Sequence, residues 1–210
     1  MDKPYIIAFC GIDGAGKTTQ LEITYNWLRE CGYKVKKTKP ILRSLEAIYA
    51  LADKMYGDPL AYYPGIPPNV VRLGFAFDLA FHFRDIEKEY TDCDILLCDR
   101  HVLCFRAYGM AYGVKDEWVD RIFSLVEEPD LIFYFDINIK NVEKRIIQRT
   151  GKTPCADETP ELLSKATECY KMLISKKNNV RVINGNLSIE NVSTKINAVI
   201  TKLIESEINQ

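Results

Sequence analysis

Gly11-Ile12-Asp13-Gly14-Ala15-Gly16-Lys17-Thr18 is a glycine-rich run that closes on a lysine and a threonine. Before it, Tyr5 to Cys10 is a short apolar run suited to a buried strand, and after it Lys17 to Glu30 has helical spacing. Gly-x4-Gly-Lys-Thr between a strand and a helix is the spacing of a phosphate-binding loop. Its glycines let successive backbone N–H groups converge on phosphate oxygens, and the helix turns its unpaired N–H groups and the positive end of its dipole to the same anion. Gly11, Gly14, Ala15, Gly16, Lys17, Thr18 and Thr19 are therefore the expected phosphate contacts. Lys17 is the expected catalytic cation, bridging the outer phosphates, and the Thr18 hydroxyl an expected Mg²⁺ ligand. A turn that only joined strand to helix would need neither side chain.

Outward from this loop, apolar runs recur at Asp94 to Cys98, Leu131 to Phe135 and Val180 to Ile183, with a weaker one at Lys34 to Lys37. Between them lie helical-period segments: Ser44 to Tyr56, Asn69 to Tyr90, Asp116 to Val126, Ile139 to Arg149, Thr159 to Lys176 and Ser188 to Ile208. Continuous apolar strands alternating with helices predict an α/β fold with a parallel sheet, read as one domain over residues 1–210. Gly57 to Pro68 and Thr150 to Glu158 fit neither pattern and are expected as loops over a substrate.

Composition narrows the function. With 28 basic against 29 acidic residues, no bulk charge draws the chain to nucleic acid. Seven cysteines, odd in number and never as Cys-x-x-Cys, predict reduced thiols in the cytoplasm, and two histidines leave no zinc spacing. The N-terminal apolar run is too short for a signal peptide or a membrane span. The expected partner is a small-molecule acceptor, with no nucleic acid and no membrane.

The third apolar run in chain order ends in Asp99-Arg100. Strand ends in an open parallel sheet border the ligand crevice, so Asp99 is a candidate Mg²⁺ or water-positioning carboxylate. Arg100 has the planar fork that matches a second phosphate. A surface Asp-Arg pair is the plainer explanation of the same residues.

With these motifs in place, the chain resembles the thymidylate kinase family along nearly its whole length. Phe9-Cys10-Gly11-Ile12-Asp13-Gly14-Ala15-Gly16-Lys17-Thr18 is similar to the family's loop, where glutamate usually stands at the Cys10 position. Leu73-Gly74-Phe75-Ala76-Phe77-Asp78 resembles its Leu-Phe-x-Ala-Asp/Asn-Arg helix, Asp99-Arg100-His101 its Asp-Arg-Tyr, and Ile183-Asn184-Gly185-Asn186 its adenine-side loop. The resemblance implies a P-loop NTPase fold, three-layer α/β/α, with a five-stranded parallel sheet and a lid at about residues 149–158. It implies γ-phosphoryl transfer from MgATP to a nucleoside monophosphate, thymidine monophosphate by default, in a homodimer that the apolar Asn69 to Phe83 helix permits. By position, Arg100 would hold the acceptor phosphate, Asp13 lie near its sugar, Phe75 stack on its base and Tyr108 form a second aromatic wall. Asn186 would face the adenine. Because Ala15 stands where some members carry arginine, Arg149 and Lys152 would supply the lid's charge; solvated charges at a helix end are the plainer reading of both.

Departures from the family pattern concentrate in the acceptor half. Leu79 stands where the family has the arginine that reads the thymine edge, and a leucine donates no hydrogen bond. Cys104 replaces a frequent serine, and the segment Thr38 to Ser44 offers Arg43 as a substitute phosphate contact. Arg43, Phe75, Leu79, Cys104 and Tyr108, with Asp13 and Arg100, are thus the expected acceptor pocket. Three readings stay open: a thymidylate kinase, a relative with another acceptor, nucleotide or not, and a nucleotide-dependent switch. The retained Asp99-Arg100 pair speaks against the switch. The lack of an Asn/Thr-Lys-x-Asp stretch favours adenine over guanine as donor base.

Overall fold

The structure is a computed structural model describing residues 3–90, 92–115, 117–150 and 158–208. Strands β1 (Tyr5–Cys10), β2 (Val35–Thr38), β3 (Ile95–Asp99), β4 (Leu131–Asp136) and β5 (Val180–Asn184) form one sheet in the order β2-β3-β1-β4-β5. Every neighbouring pair is parallel. This is the α/β architecture of the P-loop class that the sequence predicts. Helices cover both faces, which is why β1, β3 and β4 are buried almost throughout and read as unbroken apolar runs. Phe9, Phe133 and Phe135 meet across β1 and β4 with ring centroids 5.6 and 6.0 Å apart. Truncating one of these to alanine costs about 3–5 kcal/mol.

The register places the site. Phe9 pairs with Asp99, Cys10 with Tyr134, and Asp136 with Asn184, so the carboxyl ends of β1, β3, β4 and β5 open on one edge.

The helices are α1 (Lys17–Glu30), α2 (Arg43–Tyr56), the single turn α3 (Tyr62–Gly65), α4 (Pro68–Glu89), α5 (Val102–Ala111), α6 (Glu117–Phe123), α7 (Ile139–Thr150), α8 (Pro160–Ile174) and α9 (Ile189–Ile208). Two features differ from expectation. Gly57 to Pro68 is not a loop throughout: a 3₁₀ turn at Pro59–Ala61 leads into α3. These turns rest on α2, where the rings of Tyr49 and Tyr62 lie 5.4 Å apart and the Tyr56 hydroxyl donates to the Gly65 carbonyl. Helix α5 has no counterpart among the expected helices. Val102, Leu103, Cys104, Phe105, Ala107, Tyr108 and Gly109 are all buried, so α5 shows no contrast between an apolar and a polar face and its period is invisible in the sequence. It packs against α8 and α4.

Cys10, Cys93, Cys98 and Cys104 are buried free thiols. Among the described residues no helix is long and apolar enough to cross a membrane.

Candidate active site

The loop between β1 and α1 turns through three glycines with positive φ. Gly11, at 146°, is wedged against β4: a Cβ there would come within 3.0 Å of the Phe135 carbonyl oxygen. Gly14 rests on α7, where a Cβ would meet Val142 Cγ1 at 3.0 Å. Gly16, at 93°, caps α1 in the left-handed region open to glycine. The loop is clamped from outside by residues distant in sequence. The Tyr170 hydroxyl of α8 donates to the Gly11 carbonyl at 3.2 Å, and Arg145 of α7 donates to the Gly14 and Gly185 carbonyls at 3.4 and 3.1 Å.

A cleft of about 530 Å³ opens over this loop, lined by Asp13 to Gln20, Lys39, Asp99 and Arg100 on the phosphate side. Arg145, Gly185, Leu187, Ile189 and Val192 continue it as a less polar extension. Lys17 is buried, its ammonium donating to the Ile12 carbonyl at 2.8 Å. Burial, with the Arg100 charge nearby, draws its pKa below the ordinary lysine value. The Thr18 hydroxyl donates to Asp99 Oδ2 at 2.8 Å, and Lys39 Nζ lies 3.9 Å from the same oxygen.

A smaller cleft of about 140 Å³ adjoins it, lined by Leu42 at the N-cap of α2, Leu45 and Tyr49 of α2, Tyr62 of α3, Arg72 and Phe75 of α4, and Cys104, Phe105 and Tyr108 of α5. Asp13 and Arg100 line both clefts and form an ion pair. The Asp13 backbone N–H donates to the Tyr108 hydroxyl at 3.2 Å, and that hydroxyl lies 3.4 Å from the Asp13 carboxylate, tying the loop to α5. Burial works against the Arg100 charge, but Asp13 and further neighbours outweigh it and hold the guanidinium protonated well above its usual range. Among the described residues Arg100 is the one non-glycine with positive φ, at 80°, a strained conformation kept where the site needs it. Burial also opposes ionisation of Cys104, yet a hydrogen bond from Cys10 and the charges of Arg100 and Lys17 outweigh it and draw the thiol below the ordinary cysteine range.

Several expected residues stand elsewhere. Leu79 is wholly buried in the core and is not among the residues lining the small cleft. Arg43 opens α2 with an exposed side chain and lines neither cleft; after β2 it is Lys39 that faces Asp99. Gly11 lies behind the loop rather than on its concave side. Asn186 works as a tie: its Oδ1 accepts from the Asn138 backbone N–H and from Asn141 Nδ2, its Nδ2 donates to Asn184 Oδ1, and neighbours Gly185 and Leu187 face the cleft instead. The Arg149 side chain, Lys152 and most of the expected lid lie outside the described residues. Conversely, the sequence reading omits Arg145, Lys39 and Arg72. Arg145 lies one turn before Arg149 on α7, which is the signal that would have found it; Arg72 had none, being the lone charge in the apolar stretch Asn69 to Phe77.

Two clefts that share an aspartate and an arginine suit the passage of a phosphoryl group from an anion in one to an anion in the other, which puts the chain among the P-loop phosphotransferases. The family model described as thymidylate kinase matches residues 9–196. The chain belongs to that family. It is 30% identical over 192 residues to a probable thymidylate kinase of Sulfolobus acidocaldarius, covering 90% of this chain and 92% of the relative. It is 29% identical over 204 residues to one of Pyrococcus horikoshii, covering 94% and 96%. A solved thymidylate kinase from Candida albicans superposes with a TM-score of 0.74 at 18% identity, over 95% of this chain and 92% of that one.

Proposed function

We propose that the protein transfers the γ-phosphoryl group of ATP to thymidine monophosphate, with ATP in the larger cleft and the acceptor in the smaller. The observation that carries this reading is the shared Asp13–Arg100 wall, which brings an acceptor phosphate held by Arg100 next to the phosphate cradle around Lys17. Lys17, released from the Ile12 carbonyl by a bound phosphate, neutralises charge on the group in flight, and the loop N–H groups hold the donor in line. Asp13 orients Arg100 and faces the acceptor sugar. Phe75, in edge contact with Phe105 at 6.1 Å, and Tyr108 form the walls for the base. The thymidylate kinase relatives support thymidine monophosphate over other acceptors.

Thr18 and Asp99 offer two oxygens side by side at the phosphate cleft, a donor set that suits a hard cation keeping most of its waters. They would hold Mg²⁺, which supplies charge neutralisation at the donor phosphates. Arg149 and Lys152 are proposed as the lid's basic residues. Free buried thiols support a cytoplasmic location. A homodimer through α4 is supported by Val70, Phe77 and Phe81, exposed and seven and four residues apart on one helical face. Sedimentation is expected to give a dimer that Phe81→Glu dissociates; a monomeric unaltered protein overturns the dimer.

The test of the reaction is ADP release from MgATP with each common nucleoside monophosphate and with none. Stimulation chiefly by thymidine monophosphate is expected. Release that no acceptor stimulates overturns the reading.

A further inference from the structure

Arg72 lies on α4 seven residues before Leu79, two turns along the same face. It is 5% exposed and lines the small cleft together with Phe75, Arg100 and Asp13. Its guanidinium carbon sits 5.2 Å from the centre of the Phe75 ring and 4.6 Å from that of Tyr112, so two rings fix the group. Its aliphatic stem runs beside Gly109 of α5, where a Cβ would stand in ordinary contact at 3.9 Å. A guanidinium stacked on rings keeps its donors in its own plane, directed sideways rather than into the ring faces. It offers N–H donors and no acceptor, so a ligand edge that it reads must carry oxygen or unprotonated nitrogen.

We propose that Arg72 is the residue that selects the acceptor base, donating to the carbonyl at position 4 of a pyrimidine monophosphate and rejecting an amino group there. This rests on the kinase reading above. Three observations converge on it. The cleft holds about 140 Å³, which suits a one-ring base. Phe75 belongs both to the wall expected to stack on that base and to the pair of rings that hold Arg72. Leu79, the position from which a donor is expected, is sealed in the core. Every natural pyrimidine carries the carbonyl at position 2, so selection falls at position 4, where thymine and uracil accept and cytosine donates. Two donors facing each other leave both unpaired in a buried site, and this, more than lost attraction, excludes the wrong base.

The experiment is steady-state kinetics at saturating MgATP with thymidine and deoxycytidine monophosphates, for the unaltered protein, Arg72→Met and Arg72→Lys. Arg72→Met keeps the stem between the rings and removes the donors; Arg72→Lys keeps the charge and one donor group. The unaltered protein is expected to prefer thymidine monophosphate by roughly 100-fold or more in kcat/KM. Arg72→Met should shrink that ratio by about 10-fold or more, mainly through the KM for thymidine monophosphate, with Arg72→Lys between the two. If Arg72→Met fails to fold, the Arg72→Lys ratio decides the question in its place. A variant that slows both acceptors alike, or leaves the ratio unchanged, overturns the role of Arg72 while the kinase reading stands. An unaltered protein that phosphorylates no nucleoside monophosphate overturns both.

Discussion

The donor and acceptor halves of the cleft are built by different means. The donor half is mostly backbone: a loop of consecutive residues from Gly11 to Thr18, held by three positive-φ glycines and clamped by Tyr170 and Arg145 at carbonyl oxygens. The acceptor half is mostly side chain, gathered from α2, α4 and α5. Backbone geometry tolerates substitution everywhere except at its glycines and its lysine, whereas a wall of side chains changes with each residue. The first kind of site keeps one ligand; the second adjusts to a new one.

Changes at four positions test this contrast, the largest effect first. Lys17→Ala removes the lysine proposed to neutralise the group in flight and should lower kcat by about 100-fold or more. Because that side chain's bond is to a carbonyl of its own loop, the melting temperature should shift little. A comparable loss of fold stability would make Lys17 a structural residue and erase the distinction.

Arg100→Ala should raise the acceptor KM by about 10-fold or more while moving the ATP KM less, which steady-state titration of each substrate separates. Arg100→Gly relieves the backbone at φ 80°, so in urea it should be more stable than Arg100→Ala by about 1 kcal/mol. Equal stabilities would mean that the strain is absorbed elsewhere.

The acceptor half is carried by α5, whose N-cap, His101, is buried with its ring 4.3 Å from Phe83. Burial, with the charges of Lys177 and His82, lowers its pKa from 6.5 to about 3. The folded state thus binds fewer protons than the unfolded one between those values, and the stability owed to neutral His101 is complete above pH 6.5 and drains away as pH falls. The contribution to the slope approaches one proton, about 1.4 kcal/mol per pH unit, at mid-window. Urea melts from pH 5 to 7 should show a steeper loss for the unaltered protein than for His101→Phe; parallel curves would refute the assignment.

The smallest effect belongs to Asn186→Ala. Loss of the amide that ties Asn184 and Asn186 to Asn138 and Asn141 should cost about 1 kcal/mol with an almost unchanged ATP KM. A large rise in that KM would restore Asn186 as a nucleotide contact.

The same contrast explains what the sequence made legible. The phosphate loop is contiguous, its glycines mark backbone turns, and its strand and helix carry clear periods, so the donor half and the parallel sheet could be read directly. Helix α5 could not, because burial all round removes the polar face that marks a helix. Arg72 and Lys39 carry no sequence signal for a related reason: each gains its meaning only from a cleft that forms when distant elements converge. For Leu79 and Asn186 the resemblance implies contacts by position alone, and the structure gives each a different setting, one in the core and one in a web of amides.

The Asp13–Arg100 pair belongs to both clefts, and that has a thermodynamic consequence. In the proposed arrangement an acceptor phosphate drawing on Arg100 would weaken its hold on Asp13 and alter the charge that the donor phosphates meet. The occupancies of the two clefts are therefore linked, and whatever factor a non-hydrolysable ATP analogue applies to acceptor affinity, the acceptor must return to the analogue. In that arrangement one ion pair would make the two substrates each other's effectors.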